Sequence, residues 1–156
     1  ETVGYNLEGS ELGASFGMVQ LERLDQNIAS RQANFERQCK FFDNYPDYFS
    51  NPQETHGSNT AWLAFPILIK EGTPFTRKEF QIFLEKRNIQ TRVVFTGNIL
   101  RQPMCQNISK RVLEEGYPNA DRVMARGVLL PLHHGMTESM FSRFHATVHE
   151  FIEQYD

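Results

Sequence analysis

The sequence predicts an α+β fold, in which a small sheet of three or four strands is flanked by helices. Segments with helical periodicity alternate with short runs rich in β-branched residues, and this alternation is typical of a sheet covered by helices. The 156 residues are enough for one domain and too few for two. A hydrophobic content of 40% excludes wholesale disorder.

A long helix is predicted over residues 10–42, with Ser10 as its N-cap. Apolar residues recur at steps of three, four and seven and form one stripe, which consists of Leu21, Leu24, Ile28, Phe35, Cys39 and Phe42. At about 1.5 Å per residue, such a helix would be about 50 Å long. We therefore expect it to bridge to something beyond this chain and to be interrupted near Ala29 or Ser30.

The next elements are a loop, a strand and a helix. Residues 44–47 stop the long helix, and residues 51–59 are predicted as a loop. Residues 62–69 are short and apolar and are predicted as a strand buried on both faces, in which Pro66 indicates an edge position or a bulge. Thr76 and Glu79 form a capping box, with Phe75 and Phe80 as its hydrophobic staple, for a helix that ends near residue 88.

The C-terminal half repeats this alternation. Residues 89–95 and 128–132 are predicted strands, and residues 104–117 are predicted as mixed helix and loop. Residues 119–126 form a predicted short helix that Gly127 closes at the C′ position. Thr137 caps a final helix, and its apolar face consists of Met140, Phe141, Phe144, Val148, Phe151, Ile152 and Tyr155.

Composition excludes several classes of function. The net charge of −3 gives no basic field for nucleic acid. The longest apolar run, residues 62–69, is far shorter than the roughly 20 residues of a membrane helix. Cys39 and Cys105 are too few for a disulfide framework, so we expect a cytoplasmic protein in which Cys39 is a small core residue. Because no initiator Met is present, we expect a fragment or a processed product.

The histidines suggest a metal site, which we do not predict. His145 and His149 lie four residues apart on the final helix, and His133 and His134 precede it. A spacing of four fits two ligands of one zinc ion. However, both helical histidines fall opposite the apolar stripe, which favours a solvated polar face.

The loop of residues 96–103 has the composition of a binding site. It follows a predicted buried strand, and Gly97 permits a sharp turn toward a ligand. Asn98, Arg101 and Gln102 offer amides and a planar cation, which suit hydroxyls and phosphate oxygens. Arg92 adds a second cation. The alternative is a turn whose polar groups satisfy their own backbone.

The N-terminal Gly4-Tyr5-Asn6 is a weak signal alone, but the ordered set of segments resembles the DegT–StrS family. These are pyridoxal-phosphate-dependent enzymes that act on nucleotide-linked keto sugars. The similarity covers Gly4-Tyr5-Asn6, Glu11-Leu12, Gly13-Ala14-Ser15, Gly17, residues 20–25, 31–35 and 62–67, Thr91-Arg92, residues 96–103, Leu130-Pro131-Leu132 and Gly135-Met136-Thr137. Ser15 departs from the alanine that is common in the family.

The resemblance implies that residues 1–156 are the C-terminal part of a longer fold-type-I enzyme and include its small domain. Residues 1–45 would hold the Gly-Tyr-Asn segment and the long helix, and residues 60–156 the α+β domain. The large cofactor-binding domain would be absent. None of the five lysines matches the Schiff-base site, so no catalytic residue and no activity are expected in this chain alone.

The resemblance also implies residue roles. Asn6 would reach the phosphate of pyridoxal or pyridoxamine 5′-phosphate in the neighbouring subunit of a homodimer. Tyr5, Arg92, Asn98 and Arg101 would contact the substrate, a nucleotide-linked keto sugar.

Three functions stay open. The loop of residues 96–103 most resembles the 3-dehydrases of NDP-4-keto-6-deoxyhexoses, which carry histidine in place of the Schiff-base lysine; some bind a [2Fe–2S] cluster upstream. The first alternative is a sugar aminotransferase that uses glutamate. The second is a binding or dimerisation module without catalysis.

Overall fold

The computed structural model describes residues 9–155 and confirms the predicted α+β fold. The elements are α1 (Glu11–Glu22), α2 (Leu24–Phe42), β1 (Phe49–Ser50), β2 (Phe65–Ile69), α3 (Arg77–Glu85), β3 (Arg92–Val93), α4 (Pro118–Arg126), β4 (Gly127–Leu130) and α5 (Glu138–Ile152). The four strands form one antiparallel sheet in the order β1-β2-β4-β3. Single 3₁₀ turns at residues 99–101 and 103–105 fill part of the connection before α4.

The predicted long helix is two helices that meet at Arg23. Ser10 caps α1 as predicted, because its hydroxyl accepts a hydrogen bond from the Gly13 N–H at 3.3 Å. The predicted interruption near Ala29 or Ser30 is wrong, because both residues lie inside α2. Arg23 has φ −99° and ψ 1°, and its N–H bonds to the Gln20 carbonyl. The interruption therefore separates α1, which buries no residue, from α2, which packs on the core.

The hydrophobic core lies between one face of the sheet and helices α2, α3 and α5. Alternate residues of β2 and β4 pair across it, as in Phe65 with Leu130 and Ile67 with Val128. Aromatic rings fill the space above: Phe42 of α2 stacks on Phe65 with ring centroids 5.5 Å apart. The remaining buried hydrophobic members of this cluster are Phe49, Ile69, Phe75, Phe80, Leu84, Ile89, Leu132, Phe144, Val148, Phe151 and Ile152.

Two predicted caps place α3 and α5 against this core. The Thr76 N–H donates to Glu79 Oε2 at 2.7 Å, and the Glu79 N–H donates to Thr76 Oγ1 at 3.2 Å, which completes the capping box. The Met140 N–H donates to Thr137 Oγ1 at 3.3 Å at the start of α5. Helix α3 ends at Glu85, three residues earlier than predicted.

The motif of residues 31–35 joins α2 to the end of the sheet where β2 begins and β4 ends. Arg31 Nη1 donates to the Trp62 carbonyl at 3.0 Å and to the Leu132 carbonyl at 3.3 Å. Phe35 stacks on the Trp62 ring at 4.2 Å. These residues, which contribute to the family resemblance, therefore orient α2 over β2 and β4.

The predicted edge position of Pro66 is correct locally and the predicted bulge is not, because β2 lies between β1 and β4 with a continuous register but its β1 side is unpaired at Pro66. Pro66 lies opposite Leu129 of β4, and β1 pairs only with Leu68 and Ile69. The β1 ladder has ended before Pro66, so the missing N–H of proline interrupts no hydrogen bond on that side. Pro66 and Leu68 are half-buried, so the second face is less covered than predicted.

The strand predicted over residues 89–95 pairs with β4 only at Arg92 and Val93. Gly127 also differs from the prediction: it has φ −75° and begins β4, so it is not a left-handed C′ residue. A Cβ at Gly127 would lie 2.7 Å from the Val123 carbonyl oxygen. Glycine is needed here for close packing of α4 on the sheet.

Candidate functional site

The loop after β3 turns sharply, as the sequence predicts. The Gly97 N–H donates to the Val94 carbonyl at 3.0 Å, and Gly97 has φ +64°. A Cβ at Gly97 would lie 2.3 Å from Met124 Cβ in α4. The turn therefore requires glycine for its backbone conformation and for its contact with α4.

Asn98 is satisfied inside the protein. Its Oδ1 accepts from the Leu100 N–H at 3.0 Å, and its Nδ2 donates to Asp121 Oδ1 at 2.8 Å. The residue is only 5% exposed. Asn98 therefore fits the alternative given above, in which the polar groups of this loop stabilise the turn itself. A substrate contact by Asn98 stays a prediction.

Arg101 is held at the protein surface by the same aspartate. Arg101 Nε donates to Asp121 Oδ1 at 3.0 Å, and Nη2 donates to Asp121 Oδ2 at 2.8 Å. Hydrogen bonds from Arg101 and Asn98 lower the pKa of Asp121 to about 2. The hydrogen bond to Asp121 also raises the pKa of Arg101. Both groups are therefore charged at neutral pH.

A cleft of about 340 Å³ lies between this loop and the start of α4. Arg101 and Lys110 contribute positive charge to its lining, and Asp121 and Glu115 contribute negative charge. Lys110 Nζ donates to the carbonyls of Cys105 and Gln106, which holds the wall of the cleft. Leu100, Val112, Tyr117 and Pro118 add apolar lining, so the cleft presents both charged and apolar groups to a ligand.

Asp121 is the residue of this site that sequence reasoning missed. It lies twenty residues after Arg101 in the first turn of α4. An acidic residue in a first turn is ordinarily explained by the helix dipole. No local pattern indicates that its carboxylate meets the loop of residues 96–103.

The other predicted site residues are not brought to this cleft. Arg92 lies on the exposed strand β3, and within residues 9–155 no hydrogen bond or ion pair holds its guanidinium. Arg92 is not among the residues that line the cleft. Tyr5 and Asn6 lie outside the described residues.

The described residues do not enclose a lysine that could anchor a carbonyl cofactor. All five lysines, which are Lys40, Lys70, Lys78, Lys86 and Lys110, are exposed. A Schiff-base lysine works in a desolvated pocket that lowers its pKa. A cofactor phosphate contact from this chain would come from Asn6, as the resemblance implies.

His145 corrects the prediction of a solvated histidine face. Its ring stacks on Phe41 at 3.8 Å, and its Nε2 lies 2.8 Å from Gln38 Oε1. Burial, with a smaller effect of the Arg37 charge, lowers the pKa of His145 to about 4. His149 is exposed, as predicted, and bonds to Tyr45. Within residues 9–155, no group of three or more His, Cys, Asp or Glu side chains is placed to hold a metal ion.

Cys39 packs beside the core as predicted, and burial raises its pKa to about 11. Cys39 and Cys105 are both free. Over residues 9–155, no helix is both long enough and apolar enough to span a membrane.

Helix α1 presents an unusual apolar surface. Leu12, Phe16 and Val19 follow at steps of four and three and share one side, and Met18 and Leu21 share the roughly opposite side. Leu12 is 76% exposed and Phe16 is 74% exposed. We call these five residues the α1 apolar surface. A helix that is apolar on two sides is typical of one that is buried in a larger body.

Comparison with known proteins identifies the relatives of this chain. Residues 1–149 match the DegT/DnrJ/EryC1/StrS aminotransferase family. The lipopolysaccharide biosynthesis protein RfbH of Salmonella typhimurium is 34% identical over 135 residues, which are 86% of this chain and 31% of that protein. The dTDP-4-dehydro-2,6-dideoxy-D-glucose 3-dehydratase of Saccharopolyspora spinosa is 31% identical over 150 residues, which are 96% of this chain and 32% of that protein.

Solved structures agree with this assignment. A GDP-4-keto-6-deoxymannose-3-dehydratase with a trapped PLP-glutamate geminal diamine has a TM-score of 0.79 at 26% identity, over 93% of this chain and 37% of that one. Other curated relatives include both 3-dehydratases and transaminases of nucleotide sugars. The chain spans about a third of the length of the curated relatives it matches. From its sequence match, its fold and these relatives, the chain belongs to the DegT/DnrJ/EryC1/StrS aminotransferase family.

Proposed function

We propose that this chain is the C-terminal part of a pyridoxamine- or pyridoxal-phosphate-dependent enzyme that removes the C3 hydroxyl from an NDP-4-keto-6-deoxyhexose. The observation that carries this proposal is the 31% identity over 96% of the chain with a nucleotide-sugar 3-dehydratase. Two further 3-dehydratases match at 33% and 27% identity. The resemblance of the loop of residues 96–103 to the 3-dehydrases also supports this choice.

In this proposal, Arg101 binds the substrate. Of the five N–H donors of a guanidinium, two are used by Asp121, so three remain for oxygen atoms in the cleft. Tyr5, Arg92 and Asn98 are the other proposed substrate contacts, and Asn98 would also hold the turn. The permanent charge of Arg101 would orient the phosphate or hydroxyl oxygens of the nucleotide sugar.

The cofactor, when bound, supplies the stabilisation of the substrate carbanion, and the protein supplies orientation and charge. We propose that Asn6 binds its phosphate in the neighbouring subunit of a homodimer. The residues of the large domain would hold the rest of the cofactor, because no lysine of this chain matches the Schiff-base site of the family. The chain alone would then be inactive.

The proposed domain organisation explains the α1 apolar surface. Residues 1–45 would connect to the large domain, and residues 60–156 would form the small domain. Packing against the large domain would cover Leu12 and Phe16, which are exposed in this chain. We place the enzyme in the cytoplasm, where the free thiols of Cys39 and Cys105 would stay reduced.

The proposal is tested on the full-length protein with a nucleotide-linked 4-keto-6-deoxyhexose, the cofactor and glutamate. Mass spectrometry of the sugar should show loss of the C3 hydroxyl. Retention of that hydroxyl together with gain of an amino group would instead identify a transaminase. A protein that forms a dimer but does not convert the nucleotide sugar would be the non-catalytic module.

A sugar aminotransferase is the second candidate. Its support is a dTDP-4-amino-4,6-dideoxy-D-glucose transaminase from Escherichia coli, which is 27% identical over 88% of this chain. The two candidates differ at the Schiff-base position of the large domain, where the resemblance implies histidine for a dehydrase and lysine for a transaminase. The residue found at that position should agree with the product that the assay identifies.

A further inference from the structure

We propose that Asp121 is a positioning residue that fixes the orientation of the Arg101 guanidinium at the candidate cleft. This inference rests on the proposed function, because it assigns Asp121 a part in binding the same nucleotide sugar. Asp121 would not touch the substrate. It would act through Arg101.

The hydrogen bonds define one orientation. Arg101 directs its Nε and Nη2 edge at the two carboxylate oxygens of Asp121, at 3.0 Å and 2.8 Å. A planar guanidinium bound through two of its nitrogens cannot rotate about its long axis. Its Nη1 group and one N–H of Nη2 therefore face away from Asp121.

The Asp121 carboxylate is itself held in place. The Asn98 amide donates to Asp121 Oδ1 at 2.8 Å, and this amide is buried and accepts from the Leu100 N–H. Asp121 is also anchored in the first turn of α4, whose Met124 packs against Gly97. The loop and the helix thus form one rigid support for an otherwise mobile side chain.

This support matters because Arg101 is solvent-exposed, with 64% of its side chain accessible. A free arginine loses rotamer entropy when it binds a ligand, and pinning it beforehand reduces that cost. The Asp121 carboxylate also offsets part of the charge of the Arg101 guanidinium. Binding of the substrate therefore depends more on the direction of the guanidinium hydrogen bonds than on charge alone. We expect such a site to select oxygen atoms that lie in the guanidinium plane.

A double-mutant cycle in the full-length enzyme separates positioning from a merely structural role. In the Asp121→Asn variant, KM for the nucleotide sugar should rise about five- to tenfold while kcat stays within about twofold. In an Arg101→Ala background, Asp121→Asn should have no further effect on KM, because its route of action is gone. Equal effects of Asp121→Asn in both backgrounds, or an unchanged KM, would overturn the proposal.

The matched control is Glu71→Gln, which breaks another ion pair of α4. Arg126 Nη2 lies 2.6 Å from Glu71 Oε1, at the end of the helix away from Asp121. This variant should leave KM within about twofold of the parent. A rise in KM equal to that of Asp121→Asn would mean that any weakening of α4 perturbs the site, and Asp121 would lose its special role.

A readout that needs no turnover keeps this test separate from the proposed function. With ¹⁵N-labelled arginine, the Arg101 Nε–H should give a sharp NMR signal that is slow to exchange in the parent protein and is lost in Asp121→Asn. If the parent protein converts no nucleotide sugar, the proposed function fails, while this signal still reports on positioning. An Nε–H signal that is equally protected in both proteins would refute the role of Asp121.

Discussion

The aromatic core and helix α1 are built from similar residues and differ in what surrounds them. Phe65 and Phe80 are fully buried between the sheet and the helices, whereas Leu12 and Phe16 of α1 are about three-quarters exposed. Both segments are apolar, so side-chain chemistry does not explain the difference. What differs is the presence of neighbours: strands and helices surround the core residues, while α1 contacts mainly α2. A hydrophobic core forms only where the chain supplies apolar residues on both of the packed elements.

This difference bears on the interpretation of the α1 apolar surface. Single exposed apolar residues are ordinary, but a helix with exposed apolar residues on two sides is typical of an interaction surface. Within residues 9–155, nothing covers it. In the proposed domain organisation, the large domain would cover the α1 apolar surface, whereas the aromatic core is complete within the described residues.

The largest expected effect is in the core. Phe65→Ala should lower the free energy of unfolding by about 3–5 kcal/mol, because it removes a ring packed against Phe42 and Phe35. Urea unfolding of the 156-residue chain measures it. The matched control is Phe95→Ala, an exposed ring whose loss should change stability by less than about 0.5 kcal/mol. Equal losses would contradict the contrast between packed and exposed aromatics.

A second comparison concerns two glycines with positive φ. Gly97→Ala should cost about 2–4 kcal/mol, because its Cβ would collide with Met124 and its φ of +64° is strained. Gly57→Ala, at φ +79° with no atom within 4 Å of the new Cβ, should cost only about 1 kcal/mol. Thermal unfolding of both variants measures the difference. Similar losses would show that backbone strain, and not the contact with α4, dominates at Gly97.

The pH dependence of stability should report the burial of His145. Burial lowers the pKa of His145 to about 4 in the folded chain, whereas a histidine in the unfolded chain has a pKa near 6.5. As the pH falls, the unfolded chain therefore binds a proton at His145 before the folded chain does. The resulting stability is present above pH 6.5 and is lost as the pH falls toward 4. We expect on the order of 1–2 kcal/mol after allowing for solvent screening.

The measurement is urea unfolding at pH 7 and pH 4.5, in the parent chain and in His145→Gln. The variant should show a smaller loss between the two pH values. Arg37 faces His145 and stays charged throughout, so it adds no titration of its own. An identical loss in the variant would assign the pH dependence to other groups.

The smallest effect is expected in α1. Phe16→Ser should change the stability of the 156-residue chain by less than about 0.5 kcal/mol, because nothing in the described part of the chain buries its ring. The same substitution in the full-length enzyme should cost about 3 kcal/mol or more if the large domain covers this surface. Denaturant unfolding of both proteins tests the contrast. A large loss in the short chain would show that α1 is already covered, for example by self-association.

Local signals were reliable for the helix N-caps, but the local signal at Gly127 was not, because close packing and not a left-handed conformation requires glycine there. The caps at Ser10, Thr76 and Thr137 formed as predicted, because each hydroxyl reaches a backbone N–H three residues away. The turn at Gly97 was predictable for the same reason. The order of the segments also carried the family resemblance.

Local patterns therefore specified the helical segments, their N-caps, the sharp turn at Gly97 and the family resemblance, but not the boundary between α1 and α2. Only the packing of whole elements brings Asp121 to Arg101, stacks His145 on Phe41 and places Pro66 in a strand between β1 and β4. Each of these depends on residues 20 to 104 positions apart, or on where a neighbouring strand happens to end. Such contacts follow from the packing of whole elements, and no periodicity within a single element specifies them.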